Sequence, residues 1–212
     1  MTDQSSDATR TRLLDAALYV FADNGFHKAS VRDICTRAHA NTAAVNYHFG
    51  DKAQLYRQVF ERASARLHTL AQSFDASTPL EAFSAYYREL LAPLAEGDRA
   101  LQVARLHARE QLEPTGILSD LCAKYLSPTH DRLVAYVCEQ TGVSHPDQAI
   151  ERLAFSLVGM GTFYIHAQRV VQALRPQVLT GQDWLGDLAA QLAHQAVSLL
   201  TAFREQVAKE RQ

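Results

Sequence analysis

Residues 30–52 read SVRDICTRAHANTAAVNYHFGDK, and the rest of the chain is best understood outward from this stretch. Val31, Ile34 and Cys35 recur on one face of a short helix over Val31–Ala38. Ser30 stands at its N-cap, where the hydroxyl accepts from the amide of Asp33 and Asp33 reaches back, a short-acid capping box. His39, Ala40 and Asn41 make a turn. Asn41 or Thr42 then caps a second short helix that runs to about Phe49 and is ended by Gly50. Two short helices joined by a turn of three or four residues form the helix-turn-helix pattern.

Upstream, Leu13, Leu14, Ala17, Leu18 and Phe21 share a face, so residues 10–24 are expected as a helix with Thr9 or Asp7 as cap and Gly25 as its left-handed C′ residue. Downstream, Asp51 caps a fourth helix with Gln54 at N3. Its stripe of Leu55, Val59, Ala63 and Leu67 continues to about Phe74. The clearest internal break is Asp75–Pro79, with Thr78 as cap and Pro79 at N1. Beyond it, helices are expected at about 80–95, 99–112, 116–140, 147–174 and 183–208, with Pro128 kinking or splitting the third of these. No strand alternation of useful length appears. The expected fold is therefore all-α. A three-helix helix-turn-helix domain occupies residues 1–55, a fourth helix (52–74) links it onward, and a larger helical domain fills 75–212.

Composition narrows the function. Hydrophobic residues at 47% suffice for a core, and charged residues at 21% exclude a mostly disordered chain. Net charge is −2, but residues 1–74 carry nine Lys/Arg against seven Asp/Glu, so the first third is the more basic part. The cysteines (Cys35, Cys122, Cys138) are scattered, without metal-ligand spacing, as expected of buried thiols in a reducing compartment. The polar start is no signal peptide and no apolar run reaches membrane length, so a cytoplasmic protein without membrane association is expected. A Gly-x-Ser-x-Gly elbow, a phosphate-cradling glycine loop and a His-Glu-x-x-His motif are all missing. His107 and Glu110 make half of a metal site with no matching second cluster. No enzymatic activity, metal or cofactor is expected.

Residues 10–60, above all Ser30–Ala38 followed by Val45–Lys52 with its Tyr-His-Phe, two residues, Lys signature, resemble the N-terminal domain of the TetR/AcrR family of transcriptional regulators. The chain departs from the family at His39, where the turn usually carries Gly, and at Asn46, where the recognition helix often has Tyr. The Asn46-Tyr-His-Phe-Gly50 form is similar to a recurring subgroup, and residues 105–116 more loosely resemble that subgroup's drug-efflux-regulator (CecR-like) C-terminal domain. The resemblance implies a ligand-responsive regulator, most simply a repressor of transporter, efflux or catabolic genes. It would bind double-stranded palindromic operator DNA as a homodimer and leave it when a small-molecule inducer, of unknown identity, binds.

The residues carry a physical case for DNA as well. The helix Thr42–Phe49 lacks Lys and Arg, and Ala43 and Ala44 let its backbone approach the major-groove floor, where an alanine methyl meets a thymine methyl. Asn46 suits bidentate pairing with adenine. Thr42, Tyr47 and His48 can donate to phosphates, with Asn41 beside them; His48 equally suits a plain helix-end role. Lys28, Ser30 and Arg32 around one helix start, and Lys52 at another, form phosphate clamps. Arg10 and Arg12 could reach adjacent backbone, whereas Arg37 and Arg57 suit solvated helix faces.

In the body, residues 153–165 are uncharged throughout, too apolar for a helix bathed in water. Phe155, Val158, Gly159, Thr162 and Phe163, with Leu192, Ala196 and Leu200 of the last helix, are the expected dimer interface; burial within one subunit is the alternative. Gly159 and Gly161 each cost about 1 kcal/mol of helix stability, which close helix approach across a symmetric interface would justify. Tyr86, Tyr87, Arg105, His107, Arg109, Glu110, His166 and Gln168 are candidate pocket linings. For residues 105–116 the alternative is an Arg/Glu pair that joins two helices. The fourth helix is the expected relay between ligand and DNA.

Overall fold

The protein, seen in a computed structural model, is described over residues 2–64 and 67–210. Its helices are α1 (Thr2–Lys28), α2 (Val31–Ala38), α3 (Thr42–Phe49), α4 (Lys52–Ser64), α5 (Leu67–Gln72), α6 (Pro79–Leu91), α7 (Asp98–Leu112), α8 (Ile117–Leu121), α9 (Ser127–Thr141), α10 (Gln148–His166), α11 (Gln168–Leu174) and α12 (Trp184–Glu210). Among the described residues there is no strand and no helix long and apolar enough to cross a membrane.

Punctuation follows local chemistry. Gly25 takes φ 71° and interrupts α1, and Gly50 takes φ 82° after α3, both costly for a residue with a Cβ. Thr78 Oγ1 accepts from the Glu81 amide while the Glu81 carboxylate accepts from the Thr78 amide, and Pro79 opens α6. The segment expected as one helix over 116–140 is split: α8 passes through a π-turn over Cys122–Leu126 into α9, whose second residue is Pro128. The segment 147–174 is likewise two helices, stepped at Ala167. Of the fourth helix expected over 52–74, residues 65 and 66 lie outside the described residues.

The chain divides into two compact units that do not follow sequence order. One comprises residues 1–65 and 98–123, so α7 and α8 pack with α1–α4; the other comprises 66–97 and 124–212. This partition differs from the expected split into 1–55 and 75–212. In the first unit, α1 packs on α2, α3, α4 and α7. Phe21, Tyr56, Phe60 and His107 form a chain of ring contacts from α1 through α4 to α7, with centroids 4.7–5.1 Å apart. In the second unit, α6 lies against α12 and α10, and α9 packs on α5, α10 and α12. Phe74 belongs to this core, ringed by Phe83, Tyr86 and Tyr136, so the Asp75–Pro79 break is a turn within one unit.

Two expectations for the dimer interface are corrected here. Leu192, Ala196 and Leu200 are buried in the second unit's own core, because α12 turns its apolar stripe toward α6. Gly161 is also explained within the subunit: a Cβ there would stand 2.6 Å from Leu90 Cδ2 and 3.2 Å from Tyr87 Cδ1. Gly159, by contrast, faces open space. We therefore expect Gly161→Ala to destabilise the protein by about 1–3 kcal/mol through overpacking. In the separated subunit Gly159→Ala should instead gain up to about 1 kcal/mol from helix propensity, since nothing of its own chain lies within 4 Å of a Cβ there. Urea denaturation of the two variants checks this, and equal effects would remove the distinction.

Candidate nucleic-acid interface

The helix-turn-helix is held from within by apolar contacts and finished by caps. Ile34, Cys35, Ala38, Val45 and Phe49 are buried, while Ser30 Oγ accepts from the Asp33 amide at 3.0 Å and Asn41 Oδ1 from the Ala44 amide at 2.9 Å. His39 occupies the left-handed region (φ 50°, ψ 47°), alone among the described non-glycine residues. A glycine at this position would be unstrained. The turn is held by the Ala40 amide donating to Cys35 O at 2.9 Å and the Cys35 thiol donating to Asn41 O at 3.4 Å. Burial pushes the Cys35 thiol pKa up, which keeps this donor protonated.

Because α3 buries only Val45 and Phe49, its opposite face is presented outward: Thr42, Ala43, Asn46 and Tyr47 are exposed, Tyr47 to 80%. Ala44 and His48 are half-buried, with His48 edge-on to Tyr47 at 4.9 Å. Lys28 and Arg32 are exposed, and the Ser30 hydroxyl keeps its own proton free to donate. Asn41 is exposed but spends its side-chain oxygen as the α3 cap.

Lys52 differs from its expected role as a phosphate clamp. Its ammonium donates to Phe26 O at 2.8 Å and Ala29 O at 3.0 Å and lies 4.6 Å from the Phe26 ring centroid. Two of its three N–H groups thus close the corner between α1 and α2, the segment that carries Lys28 and Ser30. Arg10 and Arg12 are also engaged within the unit, Arg10 with Gln58 and Arg12 with Ala38 O and Thr9. Arg37 stacks on the Tyr19 ring at 4.3 Å, and Arg57 pairs with Asp120 at 2.9 Å.

The family described as bacterial regulatory proteins of the tetR family matches residues 13–59, the span of this helix-turn-helix. The C-terminal domain of the HTH-type transcriptional dual regulator CecR matches residues 79–203. The chain belongs to the TetR family. It is a helix-turn-helix, DNA-binding transcriptional regulator with a CecR-type C-terminal domain. Among its relatives, CecR of Shigella flexneri is 26% identical over 166 residues, which are 72% of this chain and 74% of that protein. AcrR of the same organism is 30% identical over 95 residues, 45% of this chain and only 44% of AcrR. The putative transcriptional regulator from Pseudomonas aeruginosa PAO1 shares the fold at TM-score 0.68 and 18% identity, covering 93% of this chain and 92% of that one.

The candidate pocket residues of this TetR-family chain fall in different units. Tyr86 and Tyr87 are core residues of the second, where burial raises both phenol pKa values and Tyr87 donates to Leu157 O at 2.8 Å. His166 is exposed there, at the end of α10, and Gln168 half-buried. Arg105, His107, Arg109 and Glu110 belong to the first unit. Arg105 reaches Asp23, and Arg109 donates to Ala22 O at 2.7 Å and to Asp23 O, closing the last carbonyls of α1 before Gly25. His107 Nδ1 bonds Val103 O at 2.9 Å. Glu110 is 1% exposed and accepts from Tyr56 Oη at 2.8 Å, the Thr115 amide at 2.7 Å and the Thr115 hydroxyl. These groups are engaged in joining helices, so the polarity of residues 105–116 is explained by α7 binding to α1 and α4. No local pattern marks Tyr56 as Glu110's partner, since the two lie 54 residues apart in the chain, on different helices.

Lys52→Met should lose about 1–2 kcal/mol of unfolding free energy, because two charge-assisted bonds vanish from a half-exposed site. The salt dependence of DNA binding should stay unchanged in that variant; a slope reduced by about one would return Lys52 to the phosphate contacts. Glu110→Ala should cost more, about 2–4 kcal/mol, since Tyr56 Oη and the Thr115 amide lose a buried acceptor. Urea denaturation with Tyr56→Phe as the second arm of a double-mutant cycle measures that coupling.

Proposed function

We propose that this chain is a ligand-responsive repressor that binds a palindromic operator as a homodimer and is released by a small-molecule inducer. The observation that carries the reading is the outward face of α3: Thr42, Ala43, Asn46 and Tyr47 are exposed together, with Lys28, Ser30 and Arg32 on the adjoining α1–α2 corner and α2 start. In this reading Thr42, Ala43, Ala44 and Asn46 meet base edges. Lys28, Ser30, Arg32, Tyr47 and His48 hold phosphates, and Asn41 and Lys52 position the helices that present them.

A recognition helix without Lys or Arg forms few strong contacts, so affinity has to come from two heads at once. A dimer would set its heads at the separation of successive major grooves, about 34–36 Å. The exposed Phe155, Gly159 and Phe163 of α10 support a two-fold contact there, with Val158 and Thr162 half-buried at its edges. An inducer favouring a different separation must lower operator affinity by the same factor by which operator lowers inducer affinity. The likeness to CecR, a transcriptional dual regulator, supports transcriptional control.

Gel shifts with DNA from upstream of the gene, at low salt and without added ligand, test the reading. Asn46→Ala should lose about 1–3 kcal/mol at one base pair of the operator and relax preference there. Arg32→Ala should weaken all sequences alike and reduce the salt slope by about one. Identical behaviour of the two variants would overturn the division between base reading and phosphate holding, and failure to bind any upstream fragment would overturn the function.

A further inference from the structure

α10 and α11 carry one exposed apolar stripe across the step between them. At about 100° per residue, positions 155, 159, 163, 166, 170 and 174 fall within an arc of roughly 100°. On the far side, Ile150, Ala154, Leu157, Gly161 and Val171 are buried. The helical phase survives Ala167 because the backbone ladder does: the Ala167 amide donates to Phe163 O at 2.8 Å and the Val171 amide to Ala167 O at 2.9 Å. Along the exposed side lie Phe155 (63% exposed), Phe163 (56%), Val170 (55%) and Leu174 (65%). Val178, in the 3-10 turn after α11, is exposed as well.

The geometry points to α11 as a second segment of the homodimer interface, with Val170 and Leu174 covered by the second copy of this chain. This rests on the homodimer reading above and extends it beyond α10. Area favours the second copy as occupant. A buried aromatic side chain removes about 150–250 Å² from water, so the exposed parts of Phe155 and Phe163, doubled by two-fold symmetry, supply roughly 400–600 Å². A stable contact needs about 1,200–2,000 Å². Beside the stripe, Met160 of α10 and Gln191, His194, Gln195, Ser198 and Leu199 of α12 line a groove of about 650 Å³ whose open surface is mainly carbon, so this groove adds to the same contact. The two aromatic side chains fall well short of that total, and Val170 and Leu174 of α11 extend the same face in phase with them. Its length also means that the interface reaches past the end of α10 to the Pro176–Leu179 turn.

Sedimentation equilibrium of the full chain over a concentration series is the test, with the double variant Val170→Ser and Leu174→Ser beside Phe155→Ser and Phe163→Ser. The wild type should be dimeric, and the α11 variant should raise the dimer dissociation constant at least tenfold with helix content and thermal unfolding of the monomer unchanged. Where the wild-type dimer is too tight to dissociate, the rate of subunit exchange between two labelled populations should rise by the same factor. A wild-type dimer whose constant or exchange rate stays within twofold in the α11 variant, while the α10 variant dissociates, overturns the role of α11 and leaves the homodimer intact. A wild type that stays monomeric throughout overturns both.

Discussion

A carboxylate removed from water must be matched by donors or it costs several kcal/mol, and Glu110 meets that demand with a tyrosine hydroxyl from α4 and the amide and hydroxyl of Thr115. Next to it, Arg109 satisfies the carbonyls that α1 leaves unpaired at its end. These bonds bring a helix from the middle of the chain into the same unit as the helix-turn-helix. The frame that orients α3 is therefore α1, α4 and α7 together, bridged by the Phe21–Tyr56–Phe60–His107 ring contacts. Burial and the Glu110 bond raise the Tyr56 phenol pKa, so the hydroxyl remains a donor. The chain leaves this unit after α4, returns for α7 and α8, and leaves again, so the two units share three covalent connections.

On the proposed reading, the division of labour around α3 follows from charge placement. The helix that faces the groove carries no Lys, Arg, Asp or Glu, and the cations sit on its flanks. Flanking cations attract any duplex and fix register, whereas small and amide side chains at the groove discriminate between base pairs. Lys52 shows why a lysine near a helix start is an ambiguous sign. An ammonium within reach of two backbone carbonyls is held there, and its value is then the shape of the α1–α2 corner.

The second unit shows how a helix that is apolar on all sides is used twice. One side of α10 packs on α6, and there Gly161 makes room for Leu90 and Tyr87; the other side keeps two phenylalanines in the open. Exposed aromatic area on this scale is a recurrent mark of surfaces that are covered by a partner. The last helix, equally apolar in sequence, gives its stripe to α6 and turns polar residues outward.

Periodicity, caps and glycines by themselves determined the all-α class, the bounds of α2 and α3, the break at Pro128 and the outward set on α3, because each depends on contacts within a few residues. The family resemblance rested on the same local stretch. What only the tertiary structure decided are pairings between groups distant in the chain: Tyr56 with Glu110, Lys52 with the end of α1, Gly161 with Leu90 and Tyr87, and the face that Leu192, Ala196 and Leu200 bury. A stripe of apolar residues states that a face will be covered and carries no address for the covering helix. A buried charge likewise states that it needs a donor and does not say from where. Those addresses are set by how the helices pack, and they turned several residues of apparent binding chemistry into the fastenings of the DNA-binding unit.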